Sequence, residues 1–242
     1  MAGPEFDIVV IGGGAGGLVV AAGGAALGAK VALVEKHRLG GDCLWTGCVP
    51  SKTLIKSAAV AHAMRHANRW ALAPHEPKPD LAAVMERVAS VIRGIEPNDS
   101  PERFRSLGID VILGEGRFVA RDAFEVNGRR LAAKSFVIAT GSRPAMPPIP
   151  GLAESGALTN ETLFDLREDV PHLVVIGGGP IGCELAQAFR RLGSEVTLAD
   201  VAPRILARED ADLVEVVQRR MADEGVTFHL GASIAKVEGR RG

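Results

Sequence analysis

Two cysteines, Cys43 and Cys48, sit five positions apart in the stretch LGGDCLWTGCVPSK, at what the pattern marks as the start of a helix. In an ideal helix that spacing spans about 7.5 Å along the axis, just beyond the usual Cα separation of a disulfide. A bridge between them needs a distorted turn, and Gly47 and Pro50 supply the irregularity. A helix N-terminus also lowers a thiol pKa, giving a thiolate able to attack disulfides. Spacing alone leaves the alternative open, two buried and unpaired cysteines.

A second kind of chemistry lies in glycine. Gly12-x-Gly14-x-x-Gly17 follows the strand-like run DIVVI, precedes an alanine-rich helix, and is answered by Glu35 at the end of the next apolar run. A pyrophosphate needs this arrangement: one glycine turns, one lets backbone approach phosphate, one lets helix pack on strand, and the helix start donates N–H groups. Glu35 would receive a ribose hydroxyl. Gly177-x-Gly179-x-x-Gly182 with Asp200 repeats the unit, and both Gly12/Gly177 and Glu35/Asp200 are offset by 165 positions (177 − 12 and 200 − 35). So long a period means two nucleotide-binding domains and not a repeat array. Asp200 would repel a 2′-phosphate, which favours NAD(H) over NADP(H). Arg204, four residues on, reads as a solvated or salt-bridged loop charge.

The elements that must position these groups follow from pattern. Strand, turn, helix and strand occur twice, around the two fingerprints. Between them, helices are expected at 49–67 and 80–95, joined by the proline-rich link 73–79; Leu81, Val84, Val88, Val91 and Ile95 form a core-facing stripe. From Ile109 short strands take over: DVILG, GRFVA, AFEV, an Asn127-Gly128 hairpin turn, RLAA and the buried run SFVIATG, a small β-meander. Four prolines between Arg143 and Gly151 mark an interdomain connection. Beyond Asp200 a helix is expected at 210–224, with strands at 227–230 and 232–237. The fold class is therefore α/β: two Rossmann-like FAD/NAD(P)-type dinucleotide-binding domains with a β-meander, at 1–165 and 166–242, the second incomplete and the sequence apparently truncated.

Composition excludes several classes. With 28 basic and 29 acidic residues the net charge is −1, and no basic face advertises nucleic acid or an anionic membrane. No apolar run approaches a membrane span and no signal peptide is legible, so a cytoplasmic protein is expected. Three cysteines are too few for a secreted disulfide framework.

GGDCLWTGCVPSK resembles the GG-x-C-x4-GC-x-P-[SK]-K signature of the class I pyridine nucleotide-disulfide oxidoreductases, which include dihydrolipoamide dehydrogenase, glutathione reductase and mercuric reductase. The resemblance extends over the fingerprint at Gly12, the VIATGS segment at 137–142 and GGGPIGCE at 177–184. It implies FAD as cofactor, Cys43 as the interchange thiol, Cys48 as the charge-transfer thiol, Lys52 beside the flavin, and Glu184 pairing with Lys52. Gly41, Asp42, Gly116, Thr140 and Gly141 would contact FAD, and Val237 would lie near the NAD adenine. Implied partners are a small-molecule disulfide or a metal ion, and family members are homodimers.

Three departures accompany it. Asp42 stands where threonine is common, and a carboxylate close to pyrophosphate is unfavourable unless it points away or meets a cation. Trp45-Thr46 replace asparagine and a small aliphatic residue. The family's C-terminal interface domain with its His-Glu pair is not in this sequence. Two rival readings remain: a non-catalytic nucleotide-binding remnant or fragment, and a flavin-only NADH oxidase or quinone reductase. His62 and His66, four apart, lack a third ligand at a helpful distance, so no metal is assigned. Cys183 is expected to be a packing residue.

Overall fold

A computed structural model of the chain describes residues 4–239. They form two compact units, one built from the segments before residue 50 and from 90–143, the other from 50–89 and the segments after residue 143. By contact, the helical segment 50–89 groups with the later part of the chain. The reason is visible in side chains: His62 and Arg65 bond to Arg220 and to the Arg191 carbonyl.

The first unit is organised by one six-stranded sheet. Strand β1 (Phe6–Ile11) is followed by α1 (Ala15–Ala26), β2 (Val31–Glu35) and the short α2 (Gly41–Trp45). Helix α3 (Cys48–Arg65) and helix α4 (Leu81–Ile95) follow in the chain but fall mostly in the 50–89 segment of the second unit; the first unit resumes with α5 (Pro101–Ser106), β3 (Asp110–Leu113), β4 (Gly116–Ala120), β5 (Ala123–Val126) and β6 (Arg129–Ile138). The strand order is β3-β2-β1-β6-β5-β4. β1, β2 and β3 pair in parallel, as crossover connections through helices require.

The central strands are buried on both faces, which explains why they are continuous apolar runs instead of alternating ones. Val10, Val31 and Leu33 pack with Leu18 and Ala21 of α1, while Val9, Ala32 and Val34 pack with Phe124, Val126 and Leu131 from the meander. The meander packs on one face of the parallel strands and is joined to them through β6. β6 is one ten-residue strand where the sequence suggested two: residues 129–132 pair antiparallel with β5, and 133–138 run parallel to β1. Its hairpin turn has the left-handed φ values that Asn127-Gly128 tolerates, 51° and 74°.

The second unit carries β7 (His172–Ile176), α6 (Pro180–Arg191), β8 (Glu195–Asp200), α7 (Ala211–Asp223) and β9 (Val226–Leu230). Its sheet is parallel, in the order β7-β8-β9. The strand expected at 232–237 does not form; Val237 N–H instead donates to the Pro150 carbonyl at 2.8 Å. In α4 the buried positions are Leu81, Met85 and Val88, so Met85 belongs to the stripe, which the sequence reading had drawn without it. No helix among the described residues is long and apolar enough to cross a membrane.

Candidate active site

The dithiol segment is two helices and not one distorted helix. α2 stops at Trp45, α3 starts at Cys48, and Gly47 sits in the break, where a Cβ would come within 2.8 Å of the Asp42 carbonyl oxygen. This break lets the two sulfurs meet. The Cys43 and Cys48 thiols face each other across this break, close enough to interact directly. The expected lowering of thiol pKa by a helix start is reversed at Cys43. Its interaction with Cys48 raises it first, then partial burial, then the charges of Cys48 and Asp99. A five-residue helix offers little dipole to oppose these effects.

The departures from the family pattern engage one another. Thr46 Oγ1 donates to Asp42 Oδ1 at 3.3 Å, which turns that carboxylate toward the dithiol turn. Trp45 donates its indole N–H to the Leu39 carbonyl at 2.7 Å and is covered by the Arg38 guanidinium at 3.6 Å from the ring centroid.

The first fingerprint closes as its glycines require. A Cβ on Gly17 would fall 1.8 Å from the Gly12 oxygen, and one on Gly12 would fall 2.2 Å from the Ala139 oxygen. A Cβ on Gly41 would come within 2.5 Å of Gly14 Cα. The turn, the α2 start and Ala139-Thr140 thus approach one another by backbone alone. Gly14 caps α1 with no side-chain hydrogen bond and no acidic residue in the first turn. Such a helix start, with its N–H donors and walls of glycine, fits a pyrophosphate. Glu35 Oε2 accepts from Gly13 N–H at 2.6 Å and Oε1 from His37 N–H at 2.8 Å.

The second fingerprint repeats the clasp. Asp200 Oδ2 accepts from Gly178 N–H at 2.5 Å and Oδ1 from Ala202 N–H at 2.8 Å. Gly179 caps α6 without a side-chain bond, and a Cβ on Gly182 would lie 2.0 Å from the Gly177 oxygen. Arg204 is a partly exposed loop charge, as expected, and is engaged by backbone carbonyls. Its Nη2 donates to the Ala207 and Glu209 carbonyls at 2.9 and 3.0 Å.

Lys52 and Glu184 come together as the resemblance implied, Nζ standing 2.7 and 2.6 Å from the two carboxylate oxygens. The pair is open to solvent, with the two side chains 59% and 38% exposed. Gly116 has a packing reason of its own, since a Cβ there would strike the Phe124 ring at 2.2 Å. Thr140 and Gly141 are exposed, and Val237 lies against the Gly151 backbone. Cys183 is buried, its Sγ donates to the Gly178 carbonyl at 3.4 Å, and burial pushes its pKa to about 11. An inert packing thiol fits all three facts. No cluster of three or more metal-ligating side chains occurs among the described residues.

The sequence reading missed two groups: Asp99, whose charge reaches Cys43, and the loop residue Leu206, which donates its N–H to the Gly178 carbonyl at 2.7 Å. Leu206 adopts φ 46°, a left-handed conformation that no residue type announced.

Comparison with known proteins decides the family: residues 6–242 match the pyridine nucleotide-disulphide oxidoreductase model. The chain belongs to that family. Its members are FAD-binding oxidoreductases that use pyridine nucleotides. The chain is 35% identical over 233 residues to a mercuric reductase of Lysinibacillus sphaericus, covering 96% of this chain and 43% of that protein. It is 37% identical over 238 residues to a dihydrolipoyl dehydrogenase of Chlamydia trachomatis, covering 96% and 51%. The structure of the HOCl-induced flavoprotein disulfide reductase RclA from Escherichia coli superimposes with a TM-score of 0.79 at 30% identity, over 94% of this chain and 49% of that one. The chain thus spans about half the length of these relatives.

Proposed function

We propose that this chain is the dithiol-bearing part of an FAD-dependent disulfide oxidoreductase that passes electrons from NAD(P)H to a small disulfide or a metal ion. The observation that carries the reading is the close approach of Cys43 and Cys48 at the break between α2 and α3. FAD, when bound, would supply the two-electron chemistry between the reduced pyridine nucleotide and the Cys43-Cys48 pair. The residues that would hold it are Gly12, Gly14, Gly17 and Gly41 at the pyrophosphate, Glu35 at the ribose, and Asp42, Gly116, Thr140 and Gly141 nearby. Residues 1–165 would form this FAD domain. Residues 166–242 would form part of the pyridine nucleotide site, with Gly177, Gly179, Gly182, Asp200 and Val237.

Within the dithiol, Cys43 attacks the acceptor. Its thiolate displaces one sulfur of a substrate disulfide, and Cys48 then displaces the second thiol and regenerates the Cys43-Cys48 disulfide, so two electrons leave with two product thiols. Because the Cys43 pKa is raised above its ordinary 9.0, the proton must be taken by a base, the role that the family's His-Glu pair would fill. Lys52, four residues after Cys48 on α3, would place positive charge beside a bound flavin, and Glu184 holds that ammonium. NAD(H) is favoured over NADP(H), because the Asp200 carboxylate is fixed by two backbone donors and Arg204 is engaged by carbonyls. Lipoamide-like disulfides and mercuric ion are the acceptors suggested by the named relatives. A cytoplasmic location completes the proposal.

The test is NADH oxidation by the FAD-loaded chain with lipoamide or mercuric ion as acceptor. Acceptor reduction that is lost in both Cys43→Ser and Cys48→Ser supports the assignment. Turnover that persists in both variants overturns it in favour of flavin-only chemistry, and no turnover with any acceptor leaves the nucleotide-binding remnant as the answer.

A further inference from the structure

The far end of α3, the helix that begins at Cys48 and carries Lys52, is tied down by a polar cluster that the redox chemistry does not use. Glu224, only 6% exposed at its side chain, receives Nε and Nη2 of Arg191 at 2.7 and 2.8 Å and Nε of Arg220 at 2.7 Å. Arg220 Nη2 lies 2.9 Å from His62 Nε2, and the His62 side chain is 15% exposed. Arginine only donates, so that imidazole nitrogen must be a bare acceptor and the ring neutral. His66 stacks on His62 at 4.1 Å and donates Nδ1–H to the His62 carbonyl at 2.8 Å. Arg65 donates to the Arg191 carbonyl at 2.6 Å.

We infer that His62 is a proton-operated latch, whose neutral ring holds the end of α3 to Arg220 of α7 and whose protonation opens that contact. A proton on Nε2 would turn the acceptor into a donor facing a donor, and would set a cation beside Arg220, Arg191 and His66. Among the described residues the acidic group facing it is Glu224, 4.0 Å from His62 Nε2 and already committed to two guanidiniums.

Titration supports this sense. Burial lowers the His62 pKa below its ordinary 6.5, and the pull of Glu224 does not offset burial and the neighbouring cations. Burial pushes Glu224 upward, but Arg191 and Arg220 hold it below its ordinary value, so it stays ionised while His62 titrates. The unfolded chain therefore binds the His62 proton first as the pH falls. The latch is fully engaged above pH 6.5 and is lost progressively below it, toward the depressed folded pKa.

Hydrogen exchange of the α3 amides in the intact chain, corrected for the intrinsic pH dependence of exchange, tests the latch. Between about pH 7.5 and about pH 5.5 protection should fall several-fold, up to about tenfold, since one pH unit of that range lies below the ordinary imidazole pKa. His62→Gln, whose side-chain oxygen accepts from Arg220 but takes no proton, should keep its protection across that range. Loss of protection in His62→Gln equal to that of the wild type, or no loss in the wild type, overturns the inference. Should the variant not fold, the wild-type imidazole titration followed by nitrogen NMR decides it: a His62 pKa at or above 6.5 is incompatible with a neutral latch.

Discussion

The two glycine fingerprints are the same device built twice, and the difference between them lies in what surrounds the turn. Gly12 and Gly177 have φ of 106° and 110°, and Gly14 and Gly179 cap their helices at φ −81° and −74°. Each acid is clasped by the N–H of the middle glycine and by an N–H two residues after itself. Beyond the clasp they diverge. The Gly12 turn is walled by Ala139-Thr140, because β6 lies beside β1, whereas a Cβ on Gly177 would meet nothing within 4 Å, because β7 is a sheet edge among the described residues. At the position 165 residues after Gly41, Leu206 keeps the left-handed conformation, 46° against 53°, yet carries a side chain. The first turn admits backbone only; the second has room.

Substitution can break that comparison in graded ways. The largest effect is expected at the third glycines, where a methyl group would overlap a backbone oxygen. Gly17→Ala and Gly182→Ala should each lose about 3 kcal/mol in denaturant unfolding, since helix and turn cannot separate without cost. A tolerated Gly182→Ala would show that the second turn is not closed like the first. Next comes the swapped pair. Gly41→Leu should cost about 2 kcal/mol and abolish FAD retention, read from flavin absorbance. Leu206→Gly should change stability by less than about 1 kcal/mol, because relief of a left-handed leucine offsets the lost burial of a half-exposed side chain. Equal penalties at the two positions would remove the distinction between a walled turn and an open one.

The acids come last. Glu35→Gln and Asp200→Asn should each cost about 1–2 kcal/mol, because an amide cannot accept at both ends from backbone N–H groups. Arg204→Ala should cost about 0.5 kcal/mol and leave the preference between NADH and NADPH unmoved in binding titrations. A gain in NADPH discrimination on losing that arginine would mean its carbonyl contacts give way to a phosphate.

Both nucleotide-type units were legible in the sequence because glycine is forced: close backbone approach and positive φ leave few substitutes, so Gly12, Gly17, Gly177 and Gly182 announced their turns. The meander strands and the Asn127-Gly128 hairpin were legible for the same local reason. What escaped depended on partners distant in sequence. Nothing local distinguishes two short runs from the continuous β6, whose halves differ only in which strand they join. The strand expected at 232–237 failed because its backbone bonds elsewhere, to Pro150. At the site, the five-residue cysteine spacing required an irregular turn, and Gly47 provided it. The sign of the Cys43 shift was not legible, because it comes from Cys48 and from Asp99, contributed by a segment more than fifty residues on.

Differential alkylation with peptide mapping, applied to the oxidised, FAD-loaded chain before and after anaerobic addition of NADH, reads the electron path at the sulfurs themselves. Cys43 and Cys48 should be found joined to each other at first and should become alkylated together once NADH is added, with Cys183 unchanged throughout. A Cys43-Cys48 pair that never joins, or that stays joined while NADH is consumed, would contradict electron transfer through these two residues.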